Sequence, residues 1–142
     1  MNEQLLLFKL SSLGRCLDRI ESRVPESSEI LSRDYDLQDI ISLNLQRAVQ
    51  TCVDIASHII ADLDLKPPLT MAESFERLYQ AGVISYKTKD RMKKSVGFRN
   101  IAVHEYFSIN WDIVYTVSTK NLHDFKEFSS EVRNWFISQE NY

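Results

Sequence analysis

Residues 36–63, DLQDIISLNLQRAVQTCVDIASHIIADL, decide the fold class. Their apolar side chains fall at Leu37, Ile41, Leu45, Ala48, Cys52, Ile55 or Ala56, Ile59 and Leu63. Steps of three and four put these on one stripe of an α-helix, whereas a half-buried strand would alternate. At about 1.5 Å of rise per residue the helix would be roughly 40 Å long. Asp36 is placed to cap its start. Lys66-Pro67-Pro68 closes it, because proline donates no amide proton and disfavours helical backbone in the residue before it. Asn44, Gln46, Arg47, Asp54 and His58 are among its polar positions.

Working outward, the same period recurs. Leu6, Leu10, Leu13, Leu17 and Ile20 form a stripe over residues 2–22, stopped at Pro25. The stretch ESSEILSRDY that follows reads as a polar connection. Thr70-Met71-Ala72-Glu73 is a capping box and opens a short helix with Phe75, Leu78 and Tyr79 on its apolar face. Gly82 suits the left-handed position just past its end. A fourth helix begins near Ser85 to Thr88 and continues through KDRMKKSVGFRNIAVHEY. Asn110 is a good cap for a fifth, with Asp112 favourable in its first turn. Trp111, Val114, Val117, Leu122, Phe125, Phe128, Val132 and Trp135 or Phe136 lie along it. Val83-Ile84-Ser85-Tyr86 has strand-like composition, but a lone strand has nothing to pair with. The expectation is an all-α, up-and-down bundle of about five helices, one domain spanning residues 1–142.

Composition agrees. With 142 residues, 44% of them hydrophobic, the chain can fill one core and not two. Only 3 Gly and 3 Pro leave few turns to build, which favours long helices. The formal net charge of −3 excludes a chain coated all over with positive charge, so any nucleic-acid site must be local or formed by an oligomer. Cys16 and Cys52 sit in apolar stretches without metal-ligand spacing and read as reduced packing residues of a cytoplasmic protein. The apolar run in MNEQLLLFKLSS is preceded by Glu3 and interrupted by Lys9, the wrong pattern for a signal peptide, and no stretch approaches a membrane span.

The chemistry is concentrated in Gly97-Phe98-Arg99-Asn100-Ile101-Ala102-Val103-His104-Glu105-Tyr106. Asn100 and His104, four apart, share a helical face. Arg99 and Tyr106, seven apart, would share the neighbouring one, with Ile101, Ala102 and Val103 anchoring the segment in the core. Histidine moves protons near neutral pH, and arginine grips phosphate and stabilises charge growing on it. Asparagine can fix the imidazole or the phosphate. No carboxylate cluster accompanies the histidine, so neither metal nor cofactor is expected. These residue types suit phosphodiester cleavage in RNA, where the 2′-hydroxyl supplies an internal nucleophile. Lys87, Lys89, Arg91, Lys93, Lys94 and Arg99, with Asp90 the one acid among them, read as a track for RNA phosphates, with Lys89, Lys93 and Lys94 as contacts. Asp54 and His58, four apart on the long helix, read first as a local hydrogen-bonded pair and second as groups supporting the site from behind.

Arg-Asn-x-x-x-His-x-Tyr resembles the signature of the HepT toxins of the HEPN superfamily. Gly97-Phe98 before it, Glu105 within it, and the run Asn44-Leu45-Gln46, Ala48, Gln50, Asp54-Ile55-Ala56, His58-Ile59 extend the likeness over most of the chain. The resemblance implies a HEPN-type helical homodimer in which two Arg-His motifs face one another across a cleft. It implies a metal-independent endoribonuclease with Arg99, Asn100 and His104 as catalytic residues, the toxin of a type II toxin–antitoxin pair. The implied partner is a nucleotidyltransferase-type (MNT) antitoxin, which in some pairs adds AMP to the tyrosine matching Tyr106. The alternative is a non-catalytic helical subunit that binds a nucleotide or other substrate for a nucleotidyltransferase.

Overall fold

The computed structural model describes residues 1–140 and is helical throughout, without a strand among the described residues. The last two residues of the domain expected over 1–142 lie outside them. Among the described residues seven α-helices run α1 (Glu3–Arg23), α2 (Ser28–Arg33), α3 (Tyr35–Asp62), α4 (Met71–Gln80), α5 (Tyr86–His104), α6 (Trp111–Thr116) and α7 (His123–Glu140). A 3₁₀ turn, Tyr106–Ser108, follows α5, and a π turn, Val117–Asn121, joins α6 to α7.

α3 is the axis of the molecule, with α1 packed along one side and α4 and α5 on another. Its buried positions include Ile41, Leu45, Ala48, Cys52, Ile55, Ala56 and Ile59, the stripe read from the sequence, although Leu63 at the far end is exposed. The neighbours α1 and α3, α3 and α5, and α5 and α7 run antiparallel, as the ties between them show. The N-terminal ammonium pairs with Asp62, and the C-terminal end of α5 is tied to Asp39. Ser85 and Thr88 at the start of α5 bond to Glu131 midway along α7, while Arg91, farther on, reaches Asp124 near the start of α7. Phe75 of α4 meets Phe128 of α7 edge to face at 5.6 Å, both fully buried, which locks the far layer of the bundle.

Two helices were not anticipated. The connection 24–34 contains α2, capped by the Ser27 side chain and anchored by fully buried Leu31. Its single apolar turn is too short to show a period. The cap of α3 is accordingly Asp34, whose carboxylate accepts from the Leu37 amide, two residues before the expected Asp36. The last helix is broken into α6 and α7 by the π turn, whose extra residue shifts the apolar register between Val114 and Leu122. Thr70, Gly82 and Asn110 play their expected parts. Thr70 accepts from the Glu73 amide, Gly82 has φ +78°, and Asn110 accepts from the amides of Asp112 and Ile113.

Candidate active site at the end of α5

α5 carries the motif in its last turns. Ser85 caps its start, accepting from the Thr88 amide, and Thr88, Met92, Val96 and Ala102 are among its buried positions. With that face committed, Arg99, Asn100 and His104 fall on the other side. Asn100 and His104 are exposed and Arg99 is half-buried. The Arg99 guanidinium donates to Asn100 Oδ1 at 3.2 Å and has no acidic partner within 4 Å among the described residues. Its charge is therefore available to an incoming anion. His104 is the last residue of the helix, and the Glu105 amide bonds back to the Ile101 carbonyl at 2.8 Å. The trio combines a free guanidinium, an amide and an imidazole on one solvent-facing edge. That edge can bind a phosphate and move a proton beside it.

Tyr106 does not continue that edge. The helix ends at His104, and the 3₁₀ turn swings Tyr106 back against α3, where its hydroxyl donates to Asp39 Oδ1. Its ring lies edge-on to Trp111 at 5.9 Å and to Phe107 at 6.1 Å. Partial burial, and then the Asp39 carboxylate, hold this phenol in its protonated form, above the ordinary tyrosine range. A helical seven-residue relation to Arg99 fails because the helix stops two residues too soon. Nor do Ile101, Ala102 and Val103 all anchor the segment. Only Ala102 is buried, while Ile101 and Val103 are 42% and 44% exposed, since three consecutive helical residues cannot face one way. Phe107, just beyond, is fully exposed.

The basic run does not form one open track. Lys89 is buried at 8% exposure. Its ammonium lies 4.0 Å from the Tyr86 ring centre and 5.1 Å from that of Tyr79, with Glu76 at 3.4 Å. Lys93 meets the same Glu76 at 3.4 Å, and Arg91 donates to Asp124 at 2.8 Å. Helical rotation has pointed these cations at α4 and α7. Lys94, paired along the helix with Asp90 at 3.2 Å, is left with a largely exposed side chain. Asp54 accepts from Gln50 at 3.0 Å rather than from His58. Asp54 and His58 line a shallow surface groove with Lys9, Ser57 and Ala61, to which α5 contributes nothing. No group of three or more His, Cys, Asp and Glu is placed to hold a metal ion among the described residues. Cys52 is buried, with its thiol pushed up by burial, and Cys16 is half-buried and also free. No helix is long and apolar enough to cross a membrane among the described residues.

The structure adds one residue to the site's surroundings that the sequence reading passed over. Asp39 stands 67 positions from Tyr106, on a polar position of α3 with no motif around it. Only the antiparallel packing of α3 and α5 brings the two together. An apolar cleft of about 540 Å³ also opens on α5, floored by Leu45, Val49, Met92 and Phe98 and rimmed by Arg91 and Lys94.

Comparison with known proteins bears on this arrangement. The chain is 38% identical over 133 residues to the mRNA nuclease HepT of Shewanella oneidensis, covering 94% of this chain and 98% of that one. It is 25% identical over 132 residues to the tRNA nuclease HepT of Aphanizomenon flos-aquae, covering 93% and 90%. Its fold matches a tri-AMPylated Shewanella oneidensis HEPN toxin solved in complex with MNT antitoxin, with TM-score 0.87 and 38% identity over 94% of this chain and 99% of that one. A Bacillus subtilis cytosolic protein of unknown function, YutE, shares the fold at TM-score 0.83 with 13% identity, covering 97% of this chain and 92% of that one. Residues 13–132 match the model of the ribonuclease HepT-like family, and the chain belongs to that family.

Proposed function

We propose that this chain is a metal-independent endoribonuclease and the toxin of a type II toxin–antitoxin pair. A single domain over residues 1–142 would work as a homodimer. The observation that carries the reading is the exposed trio at the end of α5: Arg99 without an acid to neutralise it, Asn100 bonded to it, and His104 four residues on. In this mechanism Arg99 holds the scissile phosphate and stabilises its growing charge. His104 exchanges the proton of the 2′-hydroxyl or of the leaving oxygen, and Asn100 fixes the guanidinium. Two chains pairing around a two-fold axis would bring two Arg99 charges into one groove and answer the overall acidity. The half-exposed Ile101 and Val103 and the open Phe107 flank the trio and supply apolar area for such a seam. Of Lys89, Lys93 and Lys94, Lys94 has the most exposed side chain and is the one best placed to meet RNA phosphates beside Arg99.

The complex with MNT antitoxin in which the Shewanella oneidensis HEPN toxin was solved supports a nucleotidyltransferase-type antitoxin as partner here. In that pairing AMP is added to Tyr106. A proton-transfer residue beside a phosphate grip favours an enzyme over a non-catalytic binding subunit, which needs no imidazole there. The test is expression of the chain alone and with its neighbouring reading frame, followed by sequencing of RNA ends. Growth arrest, rescue by the neighbour and new cleavage ends are expected. Harmless expression without new ends would reject the toxin reading.

A further inference from the structure

We infer that Asp39 is the group that orients the Tyr106 hydroxyl and takes its proton when that hydroxyl is adenylylated. The inference rests on the reading of Tyr106 as the AMP acceptor and adds a residue to it. Asp39 lies in the second turn of α3, on an exposed position, and has no ion-pair partner among the described residues. Its Oδ1 is the acceptor of the phenol's proton. The hydroxyl is not sealed in. It faces an open cup of about 460 Å³ whose walls include Ser32, Tyr35, Gln38, Phe107 and Trp111. A phosphoryl group can therefore approach Tyr106 from solvent while Asp39 holds the proton side.

The electrostatics point the same way. A neutral phenol is a weak nucleophile, and partial burial together with the Asp39 carboxylate keeps it neutral at rest. The proton must therefore leave during attack, and the carboxylate already bonded to it is the nearest base. In the step, the Tyr106 oxygen forms a bond to the α-phosphorus of a nucleoside triphosphate held by the nucleotidyltransferase. The bond from that phosphorus to the pyrophosphate oxygen breaks, and pyrophosphate leaves. The phenol proton passes to Asp39 and then to solvent. Protonation removes the negative charge of Asp39 while the phosphate is arriving, so the two do not repel one another during the transfer.

The test uses the purified full chain, the nucleotidyltransferase encoded beside it and ATP, with intact-mass spectrometry following the first AMP added over a range of pH. Asp39→Asn keeps the shape and a hydrogen bond but cannot accept the proton. The first addition is expected to slow by about 10²–10⁴-fold, and its rate should climb with pH as solvent hydroxide takes over. Asp39→Glu should recover much of the wild-type rate and its flatter profile. Circular dichroism and co-elution with the nucleotidyltransferase verify that the variants fold and dock. A wild-type rate in Asp39→Asn, or a slowed rate whose pH profile parallels the wild type, would overturn the role of Asp39. Wild-type protein that gains no AMP, or Tyr106→Phe that gains it as fast, would instead overturn the acceptor reading on which the inference stands.

Discussion

Replacing Lys89 is expected to cost stability and to leave RNA cleavage by the folded protein intact. Its ammonium is desolvated between two tyrosine rings, at 4.0 and 5.1 Å from their centres. A desolvated cation over aromatic faces contributes about 1–2 kcal/mol. Lys89→Met keeps the aliphatic stem and removes only the charge, so it should lose about that much. Glu76 is not orphaned in the variant, because Lys93 remains 3.4 Å away. Lys89→Ala also removes buried methylenes at about 0.8 kcal/mol each, adding roughly 2 kcal/mol. At about 2–4 °C per kcal/mol for a domain near this size, the midpoint should fall by a few degrees for Met and by about 10 °C for Ala. Thermal melts by circular dichroism read the first effect, and cleavage of a labelled RNA well below both midpoints reads the second. An unchanged midpoint in Lys89→Ala together with a tenfold loss of cleavage would refute the structural role and restore Lys89 to the RNA surface.

Tyr106 should resist ionisation. Burial and Asp39 favour its protonated form, so the stability it contributes is fully present below the ordinary phenol value near pH ~10 and is lost as pH rises through its higher folded value. Tyrosinate absorbance should show one late-titrating phenol that moves earlier in Asp39→Asn, and an unmoved late titration would break the assignment. Phe75→Ala should cost about 3–5 kcal/mol, because the side chain is fully buried against Phe128. Urea melts giving a loss under about 1 kcal/mol would mean that this layer repacks freely.

How much was legible depended on whether the signal was local. The α3 stripe from Ile41 to Ile59, the Thr70 cap, the Gly82 turn and the Asn110 cap each depend on residues within a few positions, and each appears where the sequence placed it. α2 was missed because one turn with a single buried leucine has no period to read. The π turn was missed because an inserted residue leaves no compositional mark. Within the site, the Arg99–Asn100 contact needed only adjacency. Tyr106 was misplaced because it was projected along a helix that ends at His104. Lys89 was misread for a related reason. A basic run shows which residues are cationic and not which way α4 and α7 draw them. Asp39 could not be found at all, since the contact that gives it meaning spans 67 positions.

The most direct test of the central claim compares purified wild-type chain with His104→Ala on RNA in excess EDTA. Wild type is expected to cleave without added metal and leave 2′,3′-cyclic phosphate ends or their hydrolysis products. His104→Ala should be about 10²–10⁴-fold slower with its helical spectrum intact. Cleavage that needs added magnesium, or a His104→Ala variant as active as wild type, would contradict the assignment of this edge of α5 as the catalytic site.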